Sequence, residues 1–230
     1  MKRLYAIAAA VAMLFAVDAS AQLSSGIRYG VIGGFTSTNT HVREFDYKNV
    51  PLFHVGPTVK FNLGLGFAVQ PALTYQMKGT EFRRDVSAED MQTLDAVWQT
   101  MEAKVGYLEL PVQIQWGPDL MALRPFAFVE PFLGYAVNFK AMADDLEDVR
   151  IETLKNQWKE LAMKRLEYGM GFGGGIEVNH FQLSAQWFMN FGGLANENGE
   201  VDASIIGQTV LESLRKKNFQ GFKISLAVMF

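Results

Sequence analysis

The sequence predicts an all-β fold: an eight-stranded antiparallel up-and-down transmembrane β-barrel with long, partly helical extracellular loops. Three observations predict it. Apolar and polar residues alternate with a period of two in segment after segment, the connections between those segments are alternately short and long, and aromatic residues collect at both ends of the apolar face.

The N-terminus is set apart from the rest. Lys2 and Arg3 precede an apolar run from Leu4 to Val17, and Ala19-Ser20-Ala21 supplies the small-x-small pattern that a signal peptidase cuts. The run is shorter than the ~20 residues a membrane-spanning helix needs. Residues 1–21 are therefore read as a cleaved signal peptide and 22–230 as the barrel domain. Removing Lys2, Arg3 and Asp18 leaves 19 basic and 23 acidic residues, a net charge of −4. That mild acidity argues against nucleic acid as a partner, because phosphate binding needs a basic face. The chain has no Cys, which rules out disulfides, thiolate metal sites and a thiol-linked lipid anchor.

The strands follow in order. The segments 26–37 and 52–62 alternate weakly. In 67–78, Phe67, Val69, Leu73, Tyr75 and Met77 oppose Gln70, Thr74, Gln76 and Lys78. In 107–116, Leu108, Leu110, Val112, Ile114 and Trp116 oppose Glu109, Gln113 and Gln115. The segments 124–140 and 166–178 come next, and in the second the inner face is mostly glycine: Gly169, Gly171, Gly173 and Gly175. These glycines keep strand parity and are not followed by a phosphate-loop lysine, so they read as space for bulky side chains from across the barrel. In 181–191, Phe181, Leu183, Trp187, Met189 and Phe191 oppose Gln182, Ser184, Gln186 and Asn190. In the last strand Phe222, Ile224, Leu226, Val228 and Phe230 oppose Lys223, Ser225, Ala227 and Met229. Successive side chains of a strand point to opposite faces, so each segment has one apolar side and one mixed side.

Short turns are expected near Asn62–Gly66, Gly117–Leu123 and Asn179–His180, and long connections near 38–51, 80–104, 141–165 and 193–218. Outer-membrane barrels join their strands in this way, with short periplasmic turns and long extracellular loops. Phe61, Phe67, Trp116, Phe181 and Phe230 fall at the turn ends of their strands, and Tyr75, Phe139, Tyr168, Phe191 and Phe222 at the loop ends. Two aromatic belts suit two bilayer interfaces. Outer-membrane lipid is the expected surrounding. A soluble ligand-binding barrel would have no use for aromatics at both rims of its apolar face.

The run Phe67-Ala-Val-Gln-Pro-Ala-Leu-Thr-Tyr-Gln-Met-Lys-Gly79 resembles the third strand of the PorT-type outer-membrane β-barrel family. Tyr107-Leu-Glu-Leu-Pro-Val-Gln-Ile-Gln-Trp116 resembles its fourth, Pro131-Phe-Leu-Gly-Tyr135 its fifth, and Phe172-Gly-Gly-Gly-Ile-Glu177 and the closing strand fit as well. The resemblance covers most of residues 26–230 and thins out in the long loops. It implies an eight-stranded outer-membrane barrel and an association with protein secretion. The terminal aromatic Phe230 also resembles the signal that the barrel-insertion machinery reads.

Glu109, Glu130, Glu167 and Glu177 share the inner parity with Arg28, Lys60, Lys78, Lys140 and Lys223. Eight strands enclose an interior only wide enough for side chains, so near-equal numbers of both signs are read as an ion-pair plug. His41, His54 and His180 are spread over both ends of the chain's strands and do not suggest a metal site. A hydrolase would need His54 beside a serine at the loop end, and no motif supplies one. No catalytic residue, metal ligand or cofactor is therefore expected. In the long connections, Ser87-Ala-Glu-Asp90 reads as a helix start followed by Met91, Leu94, Trp98 and Met101 at helical spacing. Ile151, Leu154, Trp158 and Leu161 form a second such stripe, and Val210, Leu211 and Leu214 a third. These helices either cap the barrel mouth or hold a protein partner, with Trp98 and Trp158 as the anchors to watch. The expected role is that of a non-enzymatic envelope component or accessory subunit. A surface adhesin or receptor, a narrow conduit and a lipid-modifying enzyme stay open beside it.

Overall fold

The computed structural model describes residues 26–39, 46–48, 50–83, 100–120, 123–143, 165–192 and 219–230. These contain β1 (Ile27–Asn39), β2 (Asp46–Lys48), β3 (Val50–Gly64), β4 (Phe67–Pro71), β5 (Thr74–Arg83), β6 (Thr100–Trp116), β7 (Leu123–Ala143), β8 (Leu166–Val178), β9 (Phe181–Asn190) and β10 (Gln220–Met229). Every pairing is antiparallel, and β1 pairs with both β10 and β3, so the sheet closes on itself. Eight staves make the barrel. The short β2 pairs with the outer end of β5, and β4 and β5 together form the third stave.

That third stave is broken where the sequence suggested one continuous strand. The pairings Phe61↔Val69 and His54↔Gln76 share one register, and the partners of β4 and β5 on β6 do likewise. The interruption at Ala72 and Leu73 is therefore a loss of ladder bonds, not a slip. Proline explains it: Pro71 precedes the gap, while Pro57 and Pro111 accept bonds from the N–H groups of Leu73 and Ala72 and have no N–H to return.

The walls are uneven. β5 runs on to Arg83, β6 starts at Thr100 and β7 reaches Ala143, beyond the limits expected from alternation. Met101, expected as the last member of a helical stripe, lies in β6 opposite Phe82 and Ala143. Pairing with two neighbouring strands overrides its helical spacing. The remainder of that stripe, including Trp98, and both other expected loop helices, including Trp158, lie outside the described residues. At the opposite end the β3–β4 turn is tight, with positive φ at Gly64, Leu65 and Gly66. Asn179 takes the same left-handed region in the β8–β9 turn, which Asn tolerates better than most residues.

Strand parity sorts inside from outside. Leu108, Leu110, Ile114 and Trp116 of β6 are exposed, and so are Phe222, Ile224 and Leu226 of β10. Exposed aromatics mark both rims: Phe61, Phe67, Trp116, Phe181 and Phe230 at the short-turn end, and Tyr168, Phe191 and Phe222 at the other. The residues of opposite parity are buried, and most of them are polar.

Candidate functional site: a polar column inside the barrel

The glycines of β8 set the shape of the lumen. Gly169, Gly173 and Gly175 pair directly with Phe132, Phe128 and Phe126 of β7. A Cβ on Gly173 would stand 2.7 Å from the Phe128 ring, and one on Gly175 would stand 2.6 Å from Phe126. The expectation that these glycines make room for bulky side chains is met by the adjacent strand, not by one across the barrel. The three rings fill the space beside the glycines, and the remaining lumen goes to polar groups, among them Glu167 and Glu177 at the two ends of β8.

Those groups form three connected layers. Toward the long connections, Lys78 Nζ lies 2.8 Å from Glu109 Oε2 and 2.7 Å from Glu167 Oε1. It donates to Asn190 as well, and Asn190 in turn donates to Glu167. The ammonium is also 4.4 Å from the centre of the Phe132 ring, close enough for a cation–π contact. Both Lys78 and Glu109 are 0% exposed.

Glu109 carries the network into the middle layer, where Lys223 Nζ lies 3.3 Å from Glu109 Oε1 and 3.1 Å from Glu130 Oε1. Glu130 accepts further bonds from Gln113 (2.8 Å) and Gln186 (2.7 Å). Gln115 then donates to Gln113 and accepts from Arg124. At the short-turn end Glu177 collects three cations: Arg28, Lys60 and Arg124. Arg124 also reaches Asp119, at 3.5 Å, and the carbonyl of Gly66. A continuous chain of bonds thus runs from Asn190 near one mouth to Arg28 at the other.

Burial of this kind requires pairing. An isolated charge in a low-dielectric interior is very costly, whereas a charge with two or three partners is tolerated. The structure places Glu109, Glu130 and Lys223 together in the middle, and Glu177, Arg28 and Lys60 together at the short-turn end. Lys140 lies in the projecting part of β7, opposite Lys104. Sequence reading passed over Arg124, which shares the inner parity of Phe126 and Phe128; its place at the first turn of a strand hid it.

His54 has a serine partner after all. Its Nε2 lies 2.9 Å from Ser225 Oγ and its Nδ1 lies 3.1 Å from Thr36 Oγ1. Gly34 makes this possible: it pairs with His54 on one side and Ser225 on the other, and with no side chain of its own it lets the imidazole cross over the strand. The serine is mid-strand, not at the loop end, and all three side chains are at most 3% exposed. A hydroxyl, not a carboxylate, orients the ring, so the set lacks the anion that steadies a charged imidazole in hydrolases. Among the described residues no group of three or more His, Asp or Glu is placed to hold a metal ion.

A family model described as the outer membrane protein beta-barrel domain matches residues 19–196. No curated protein matches the chain by sequence. Among solved structures the chain is similar to the outer membrane protein OprG from Pseudomonas aeruginosa, with 10% identity and a TM-score of 0.46 over 89% of this chain and 96% of that one. It is similar to Ail, the attachment invasion locus protein of Yersinia pestis, with 8% identity and a TM-score of 0.42 over 90% and 100%. Neisserial surface protein A is similar too, at 9% identity and a TM-score of 0.42 over 90% and 98%.

Proposed function

The chain belongs to the family of outer membrane protein β-barrel domains, and from that premise we propose that it is a non-enzymatic component of the Gram-negative outer membrane whose long connections hold a protein partner. The barrel is the anchor in this reading. Its short turns face the periplasm and its long connections face outward, as is usual for such barrels. Residues 1–21 direct export and are removed, and Phe230 engages the insertion machinery. The PorT-type resemblance of Phe67–Gly79 and Tyr107–Trp116 points to a partner in protein export.

The observation that supports an anchor over an enzyme or a conduit is the polar column. Among the described residues its buried carboxylates and ammoniums are already paired with one another from mouth to mouth. Breaking such pairs to admit an ion would leave charges uncompensated in the wall. With the interior committed to structure, binding falls to the long connections, where Trp98 and Trp158 offer the large apolar areas that concentrate interface energy.

An affinity tag placed within residues 141–165 tests this. Outer membranes solubilised in mild detergent should yield the barrel with a stoichiometric protein partner. Trp98→Ala combined with Trp158→Ala should lose that partner while the barrel stays folded. Recovery as a monomer under these conditions would refute partner binding, and recovery in the soluble fraction would refute the membrane anchor.

A further inference from the structure

We propose that the short-turn rim carries a binding notch for the phosphate of one membrane glycerophospholipid. An open groove of about 500 Å³ lies there, lined by Arg28, Asn179, His180, Phe181, Met229 and Phe230. It straddles the barrel wall. Arg28 reaches it from the inner parity, while Phe181 and Phe230 flank it from the outer, lipid-facing parity and are 57% and 60% exposed.

The chemistry of the lining selects the ligand. Arg28 gives one arm to Glu177 and Nη1 to the Asn179 carbonyl at 3.1 Å, while its Nε is shut off from solvent and has no hydrogen-bond partner. Glu177 is also held by Lys60 and Arg124, and Arg124 reaches Asp119, so the rim sets three cations against two carboxylates. The buried Nε does not face the groove, but Nη1 carries two N–H groups and spends one on Asn179, so the guanidinium keeps a donor for a phosphate oxygen. The exposed rings beside it sit where acyl chains and headgroups meet, the level that interfacial aromatics favour. A free phosphate would satisfy the cation and leave the apolar walls unused. A neutral diacyl lipid would do the reverse. A phospholipid uses both.

From the preceding reading this takes only that the short-turn rim lies at a bilayer surface. The test begins by confirming insertion into vesicles from the heat-dependent shift in electrophoretic migration, so failure of the anchor is seen separately. The folded barrel in neutral detergent is then titrated with phosphatidylglycerol, with diacylglycerol of the same chains, and with inorganic phosphate, and bound species are counted by native mass spectrometry. One phosphatidylglycerol should be retained per barrel, with neither control retained. Arg28→Gln should weaken retention roughly tenfold, the loss expected for removing a charged donor. Lys60 and Arg124 remain on Glu177, so that variant should still fold; should it not, His180→Ala and Phe181→Ser provide the same comparison. Arg165→Gln, which removes a side chain bonded to Tyr135 at the opposite rim, should leave retention unchanged. Equal retention of diacylglycerol, competition by inorganic phosphate, or full retention by the notch variants would each overturn the proposal.

Discussion

Replacing Lys78 with Met tests whether the column holds the barrel together. Met keeps the length and bulk of the stem, so the change removes charge with little cavity. The upper and middle layers hold two ammoniums, Lys78 and Lys223, against three carboxylates, Glu109, Glu130 and Glu167. Without Lys78, Glu109 keeps Lys223 at 3.3 Å. Glu167 keeps the amide of Asn190 and its contact with the carboxyl of Glu109 but is left with no cation. Breaking a buried pair from one side costs about 3–5 kcal/mol. At a urea slope of about 2 kcal/mol/M, the unfolding midpoint should fall by about 2 M. Adding Glu167→Gln restores the charge balance and gives Asn190 a neutral partner. The double variant should therefore recover most of the loss, with a coupling of at least about 2 kcal/mol in the double-mutant cycle. Both are read from reversible urea unfolding in detergent, followed by tryptophan fluorescence and by the migration shift of the folded form. A single-variant loss below about 1 kcal/mol, or a double variant as unstable as the sum of its parts, would refute the argument.

Other outcomes follow from the same geometry. Gly173→Ala should destabilise the barrel by about 1–3 kcal/mol or more, because its methyl meets the Ala185 carbonyl oxygen as well as the Phe128 ring, and Phe128→Leu should recover only part of the loss in the same unfolding assay. Gly34→Ala should reduce the folded yield more severely, because the added methyl meets the backbone of Ile224 and Ser225 at the seam where β1 closes on β10. Planar bilayers holding the wild-type barrel should show no conductance above background, and steady single-channel events would contradict a filled lumen. N-terminal sequencing of protein recovered from outer membranes should begin at Gln22.

The division between inside and outside was legible in the chain because a strand has a period of two. Leu108 and Glu109 are neighbours in sequence, and the pleat alone sends one out to lipid and the other into the lumen. The alternation of short and long connections likewise carried the up-and-down order, since adjacent antiparallel strands need only a turn at one end. What no local pattern carries is stagger. Closing eight staves slides each strand along its neighbour, and that slide decides which inward residues share a layer. Hence Lys223 meets Glu109 and Glu130, while Lys60 meets Glu177. Parity predicted that all five point inward and is silent on the partners.

The same cause hid the rest. His54 and Ser225 lie far apart in sequence; His54 pairs with Gly34 across the first two staves, and Ser225 joins them only when β10 closes on β1. The proline break in the third stave joins residues of β3, β4 and β6, so no single segment shows it. Met101 was legible as helical by spacing, and the ladder bonds available between β5 and β7 outweighed that preference. The chain alone determined the architecture and the sign of each face, because those follow from single-strand geometry. Only the tertiary structure decided the contacts, because those follow from how the strands are staggered when the sheet closes.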